Sequence, residues 1–232
     1  WVSGTAIGRT IVDLPSDLLQ EPFELIDLSN GQSVPYQIIT LDDPLAARPL
    51  APYRYALGIT RESMLQHLRV QPSYRVMLVF LAEDVPPLGY KTYRIVPAAE
   101  WPSFKSSLRI GEHSLENRFY KVTLDPESGA IVSIFDKDLG REWVDSEAAH
   151  GFNQLVVRSP RTGEETMPAH STISQGEMGP LLGSLVIRGD GLGCPQRTQE
   201  ITLYDSIKRI DLANRLLKDP TPLLEVYFAL PF

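Results

Sequence analysis

The sequence predicts an all-β protein made of antiparallel strands, and three observations carry this prediction. Short apolar runs with period-two alternation recur throughout the 232 residues. Turn-forming residues separate these runs, and the 19 prolines are about 8% of the chain against a usual value near 5%. The longest uninterrupted apolar run, Val76 to Ala82, has the length of a single buried strand. We therefore expect an all-β fold of antiparallel β-sandwich type.

The first half of the chain contains several predicted strands. The stretch FELIDLSNGQSVPYQII (23–39) predicts two strands joined as a hairpin through Asn30-Gly31, because this pair tolerates the positive φ of a tight turn. A short helix or an irregular insertion is expected at 60–70, where leucines recur at helical spacing. A buried strand follows at 76–82, and alternation resumes at 90–96.

A domain boundary is predicted near residue 105. Between Pro97 and Ser107 the periodicity is lost, and two prolines and three serines follow one another closely. Such composition is typical of a linker between domains. The two predicted domains are residues 1–100 and residues 106–232, each with an antiparallel sandwich core.

The second domain is predicted to begin with the hairpin FYKVTLDPESGAIVSIFDKDLGREW (119–143). Pro126 presets a turn φ, and Gly129 can adopt a left-handed conformation. In DKDLG, Asp136 and Asp138 resemble the first ligands of a calcium loop, but the later ligands and the glycine at the required spacing do not follow. We interpret both segments as turns.

Composition excludes several classes of function. The net charge of -7 disfavours a nucleic acid partner, and the apolar runs are too short for a membrane span. The single Cys194 excludes an internal disulfide framework, and a cytoplasmic location is expected. The chain does not begin with Met, and we expect it to be part of a longer protein.

No catalytic residue, metal site or cofactor site is predicted within the chain. The four histidines are far apart and form no His-x-Asp or His-Glu-x-x-His motif. GDGLGC (189–194) has Cys194 where a dinucleotide-binding loop needs its third glycine. Carboxylates are abundant, but the sequence does not single out the closely spaced pair that a glycosidase requires.

Four stretches carry a resemblance to a known family: LAEDVPPLGYKTYRIV (81–96), LENRFYKVTLDPESGAIVSIFDKDLGREWVD (115–145), ITLYDSIKRIDLANRLL (201–217) and EVYFALPF (225–232). In this order and spacing they resemble the β-rich region of glycoside hydrolase family 38, the α-mannosidases.

The resemblance implies a fold and a function. The fold would be a small β-sandwich followed by part of a large, galactose-mutarotase-like supersandwich. The parent would be a zinc-dependent retaining glycosidase acting on α-mannosides. Its zinc ligands and nucleophile would lie in a catalytic barrel that is missing from this chain. This chain would then be a non-catalytic β region that scaffolds the barrel and lines the mouth of the active site.

The same resemblance points to one substrate-facing segment, AAHGFNQLVV (148–157). Its Phe152 offers a ring for stacking, and Asn153 and Gln154 offer amides suited to sugar hydroxyls. The simpler alternative, that these residues only begin a strand, stays open. The expected partners are the parent's own barrel and carbohydrate, with a weak homodimer through the strand at 223–232.

Two other functions remain open. A stand-alone carbohydrate-binding module would need exposed aromatic residues and sugar affinity of the isolated chain. A mutarotase-like aldose epimerase would need a facing acid and base, for which His150 or His170 with Glu177 is the candidate set.

Overall fold

A computed structural model describes the chain over residues 4–15, 20–40, 73–168, 170–220 and 223–232. All elements whose bounds it defines there are β-strands, and their pairings are antiparallel. The all-β prediction is therefore confirmed. Contacts divide the chain into two units, Trp1–Phe104 and Lys105–Phe232. Within the described residues, no helix is long and apolar enough to cross a membrane.

The described residues of the first unit form two sheets. One has the strand order β1-β4-β3 and the other pairs β2 with β5. Two aromatic contacts join the sheets: Phe23 stacks on Tyr36 with ring centroids 4.7 Å apart, and Phe80 meets Tyr93 at the same distance. The strands are β1 (Gly4–Pro15), β2 (Phe23–Asp27), β3 (Tyr36–Thr40), β4 (Ser73–Val85) and β5 (Tyr93–Pro97).

The predicted hairpin through Asn30-Gly31 is wrong, although the turn itself is present. Gly31 has φ 72° and donates its N–H to the carbonyl of Asp27, yet β2 pairs with β5 and β3 pairs with β4. Only one bridge, Ile26 to Ser33, links the two arms. Pro35 has no N–H to extend a ladder, so the chain leaves β2 and enters the other sheet. The helix expected at 60–70 lies outside the described residues.

Three sheets form in the part of the second unit that the structure describes, with the orders β10-β9-β8-β7-β6, β12-β11-β17 and β13-β14-β15-β16. The last of these is a meander in which each strand pairs with the next one along the chain. The strands are β6 (Arg109–Ile110), β7 (Ser114–Glu116), β8 (Tyr120–Leu124), β9 (Ile131–Asp136), β10 (Arg141–Glu142), β11 (Gln154–Arg158), β12 (Glu165–Thr166), β13 (Ser171–Met178), β14 (Leu182–Gly191), β15 (Cys194–Tyr204), β16 (Ile210–Leu217) and β17 (Glu225–Ala229).

The core of the second unit lies between the five-stranded and the four-stranded sheet. Alternation sends every second side chain of β8 and β15 to this interface. On β9 the two buried hydrophobic positions are three residues apart, where its pairing with β8 shifts register. The five-stranded sheet contributes Leu115, Val122, Leu124, Ile131 and Ile134, and the meander contributes Leu185, Ile187, Ile201 and Leu203.

The predicted hairpin at 119–143 is confirmed as β8 and β9. In its turn, the Asp125 carboxylate accepts hydrogen bonds from the N–H of Ser128 and of Glu127 and from the Ser128 hydroxyl. These bonds, led by the Ser128 N–H, lower the pKa of Asp125. Asp125 is therefore a turn-stabilising residue, as the sequence predicts for this segment.

Candidate functional site

An open groove in the second unit is the candidate site. Its volume is about 510 Å³, which is within the usual range of roughly 300–1,000 Å³ for small-molecule sites. Strands β8 and β9, the segment after β10 and the start of β16 form its walls. Its aromatic lining consists of Tyr120, Trp143, Phe152 and Phe232, and two cations, Lys208 and Arg209, also line it.

The aromatic rings of the groove differ in exposure. Phe152 is buried and packs edge-to-face on Phe232, with ring centroids 5.1 Å apart and planes at 83°. Phe232 is 78% exposed, so much of its ring is accessible. Trp143 is half-buried, and the guanidinium of Arg141 lies 4.5 Å from its ring centroid. The groove thus combines a fixed ring with accessible ones.

Lys208 is held at the groove by two carboxylates. Its Nζ lies 2.9 Å from Asp136 Oδ1 and 2.9 Å from Asp138 Oδ2. These bonds raise the pKa of Lys208. Burial acts to raise the pKa of Asp136, but the bonds from Lys208 and the N–H of Leu139 hold it below its usual value. The carboxylates of the DKDLG turn therefore fix the position of Lys208.

Arg209 is paired as well. Its Nε lies 2.8 Å from Asp211 Oδ1, and its Nη2 lies 2.9 Å from Asp211 Oδ2, which is a bidentate pair. The Tyr204 hydroxyl donates to the same carboxylate at 2.5 Å, and the guanidinium lies 4.6 Å from the Tyr204 ring centroid. Because both cations have carboxylate partners, the groove suits a neutral ligand better than an anion.

The three predicted substrate-facing residues fall into different positions. Phe152 lines the groove and forms a bridge with Ile131. Asn153 is 2% exposed and does not line the groove, and Gln154 does not line it either. The Gln154 Oε1 accepts the N–H of Gly151 at 2.8 Å. That these three side chains contact sugar stays a prediction.

Asn153 is the centre of a buried hydrogen-bond network. It has φ 58°, and its N–H donates to the carbonyl of Ala229 at 2.7 Å. Its side chain exchanges two hydrogen bonds with that of Asn214, at 2.7 and 3.2 Å. Its carbonyl accepts from Gln199 Nε2 at 2.7 Å. This residue joins β11 to β15, β16 and β17.

Sequence reasoning missed Trp143, Lys208 and Arg209 as groove residues. Trp143 follows the predicted hairpin directly, and an aromatic residue there is as typical of a core as of a ligand site. Lys208 and Arg209 are adjacent in a polar turn between two strands, a position that usually indicates solvent exposure. Their carboxylate partners Asp136 and Asp138 are distant in sequence, so no local signal pairs them.

The candidate set for an epimerase stays a prediction, and the structure shows which partners two of its members have. His150 Nε2 lies 3.0 Å from Glu165 Oε2, and Glu165 also accepts the hydroxyl of Tyr227 at 2.9 Å. The pKa of Glu177 is raised by burial and, secondarily, by Glu200. Within the described part of the chain, neither His150 nor His170 forms an ion pair with Glu177.

Metal ligands are not clustered in the described residues, where no group of three or more His, Cys, Asp or Glu could hold an ion.

Comparison with known proteins yields a structural relative. No protein-family model and no curated protein matches the sequence. A crystal structure of a protein in glycosyl hydrolase family 38 from Enterococcus faecalis matches with a TM-score of 0.62 and 13% sequence identity. The match covers 98% of this chain and 31% of that chain. The chain thus has the fold of part of a family 38 protein and spans about a third of its length.

Proposed function

We propose that this chain is the non-catalytic β region of an α-mannosidase-like enzyme of glycoside hydrolase family 38. The observation that carries the proposal is the fold match over 98% of the chain to 31% of a family 38 protein. The stretches at 81–96 and 115–145 resemble this family, but no family model matches the sequence, so the proposal rests on the fold match. The parent would hydrolyse α-mannosides with retention and would hold zinc in its catalytic domain.

In this proposal the chain supports the catalytic domain and contributes to the mouth of its active site. The segment at 152–154 would approach the sugar, and the network around Asn153 would hold it in place. The partners are then the parent's own catalytic barrel and its carbohydrate substrate.

The proposal is tested on the purified chain and on the full gene. We expect the chain to bind no stoichiometric zinc by elemental analysis and to leave an aryl α-mannoside intact. We also expect the full gene to encode His-x-Asp and His-His-Asp motifs before this region. Zinc-dependent turnover by the chain alone, or a full gene without those motifs, would contradict the proposal.

The groove favours a second candidate, a carbohydrate-binding module. Aromatic rings that stack on sugar faces, next to paired charges that both donate and accept hydrogen bonds, suit a neutral saccharide. Calorimetric titration with manno-oligosaccharides should then detect binding that Trp143→Ala removes. Trp101→Ala, which changes an exposed ring of the first unit, is the control and should bind normally. Binding that is unaffected by Trp143→Ala would exclude the groove as the site.

A further inference from the structure

The inner face of β15 carries two polar side chains within an apolar core. Arg197 and Gln199 are each 1% exposed, and they share this face with Ile201 and Leu203. Polar groups at such positions almost always have hydrogen-bond partners in native proteins. Some polar atoms of these two side chains have hydrogen-bond partners and others do not. The atoms without a partner indicate what kind of molecule this part of the interior binds.

Arg197 crosses the neighbouring strand to reach its partner. In the sheet, Arg197 pairs with Gly189, and Gly189 pairs with Ser171 on the next strand. The Nη2 of Arg197 donates to the hydroxyl of Ser171, which in turn donates to the carbonyl of Ser128. A Cβ at Gly189 would lie 3.0 Å from this Nη2, so the glycine leaves room for the guanidinium. The Nε–H of Arg197 is buried and has no partner within the described protein.

Gln199 has a fixed amide orientation. Its Nε2 donates to the carbonyl of Asn153 at 2.7 Å, and only the nitrogen of the amide can make this bond. The Oε1 is therefore identified as an acceptor. It is buried and, in the part of the chain that the structure describes, it has no donor.

The two open atoms select their ligand by polarity. An anion would be attracted by the Nε–H of Arg197 but repelled by the Oε1 of Gln199. A cation would be attracted by that Oε1 but repelled by the guanidinium. A water molecule accepts from the first atom and donates to the second. Residues two apart on a strand have Cα atoms about 7 Å apart. At about 2.9 Å per bond, one water joins atoms up to about 5.8 Å apart and two waters join atoms up to about 8.7 Å apart.

We propose that the interior beside β15 binds water as a structural ligand. One buried water accepts the Nε–H of Arg197 and is linked to the Oε1 of Gln199 directly or through a second water. Buried waters of this kind satisfy polar groups that the protein cannot pair. Because Gln199 also donates a hydrogen bond to the carbonyl of Asn153, the hydrated pair helps to fix the position of the segment at 152–154. This inference does not depend on the proposed function.

The test counts long-lived waters in solution and locates them in crystals. Oxygen-17 magnetic relaxation dispersion should show that Gln199→Met loses at least one long-lived water relative to the wild type. Gln196→Met makes the same chemical change at an exposed position of β15 and should retain the wild-type count. A crystal structure of the wild-type chain should show water within about 3.2 Å of Arg197 Nε.

Two results would overturn the proposal. One is an unchanged dispersion amplitude in a folded Gln199→Met variant. The other is wild-type electron density in which a protein acceptor contacts Arg197 Nε and the space beside it is dry. The crystal result decides the matter even if Gln199→Met does not fold.

Discussion

Asn153 combines a positive φ with a reciprocal amide pair, and both contribute to stability. Asn153→Ala should lower the free energy of unfolding by about 2–5 kcal/mol. An alanine in the left-handed region has no side-chain hydrogen bond to offset the strain, which costs about 1–2 kcal/mol. The side-chain amide of Asn214 loses its partner, which costs about 1–3 kcal/mol more. Urea denaturation measures the change. Asn153→Gly should lower the free energy of unfolding by less, because glycine adopts a positive φ without strain. Equal losses of stability in the two variants would exclude backbone strain as a contributor.

Asp27 should make the stability of the first unit depend on pH, with stability lost in acid. The ammonium of Lys91, 2.7 Å away, and the hydroxyl and N–H of Ser29 lower its pKa from 3.8 to about 2. A pKa below that of the unfolded chain means that the charged form stabilises the fold above about pH 4. This stabilisation is lost as the pH falls from about 4 through about 2.

Lys91→Met tests this pH dependence. Without the ammonium, the pKa of Asp27 should rise, and the loss of stability between about pH 4 and about pH 2 should become smaller than in the wild type. Urea denaturation across this pH range measures the loss, and NMR titration of the Asp27 carboxyl measures the pKa. A wild-type pKa at or above 3.8 would contradict the assignment.

Of the three residues that the sequence suggests as substrate-facing, one lines the groove, and the burial of Asn153 has a physical reason that the sequence does not show. An aromatic residue at 152 was expected to meet a ligand, and Phe152 does line the groove. The amide of Asn153 pairs with Asn214, 61 positions away, and its carbonyl pairs with Gln199, 46 positions away. Nothing local distinguishes an amide with such partners from a free one, so burial of Asn153 could not be predicted.

Two turns of the second unit provide a matched test of packing at the level of elements. Gly129 has φ 72° and Gly140 has φ 61°, so an alanine at either position is strained. A Cβ at Gly129 would lie 2.4 Å from Ile187 Cγ2, whereas a Cβ at Gly140 would meet nothing within 4 Å.

Gly129→Ala should therefore destabilise the protein more than Gly140→Ala. We expect about 1–2 kcal/mol from backbone strain in both variants and about 1–3 kcal/mol more for Gly129→Ala from overpacking. Thermal or urea unfolding of the two variants measures the difference. Similar losses would mean that Ile187 and its neighbours move aside at little cost.

Strands were predictable where alternation and turn chemistry agree, as in β8 and β9. The alternation pattern predicts eight mostly buried residues in the second unit. Five of them are buried, and three, at strand positions next to the groove or a sheet edge, are half-buried. The buried ones are Val122, Ile134, Leu155, Val186 and Ile201, and the half-buried ones are Tyr120, Ile210 and Phe228. Pairing was less predictable, because Pro35 redirects β3 to another sheet and the turn at Asn30-Gly31 contains no sign of that change.

On the scale of the whole molecule, β17 should permit weak self-association. This strand lies at the end of the order β12-β11-β17, so the described residues pair only one of its edges. Leu230 and Phe232 follow it and are 51% and 78% exposed. An unpaired edge beside apolar side chains can pair with a second copy, although Pro231 limits the length of the contact.

Sedimentation over a concentration series should detect a weak dimer. Leu230→Lys should weaken it, since a charge beside an edge disfavours pairing. Leu139→Lys changes a comparably exposed leucine in the turn after β9 and should leave association unchanged. A strictly monomeric wild type up to roughly millimolar concentration, where contacts of about 4 kcal/mol appear, would refute this prediction.

The pairing of β11 with β17 also constrains how the second unit folds. It joins Leu155 to Phe228, and the whole meander β13–β16 lies between them in the chain. The meander pairs sequential neighbours, so it closes short loops and can form early, whereas β11 and β17 must close one long loop. Through Asn153, the segment at 152–154 is hydrogen-bonded both to the meander and to β17. It therefore acquires its full set of native contacts among the last parts of the unit to fold.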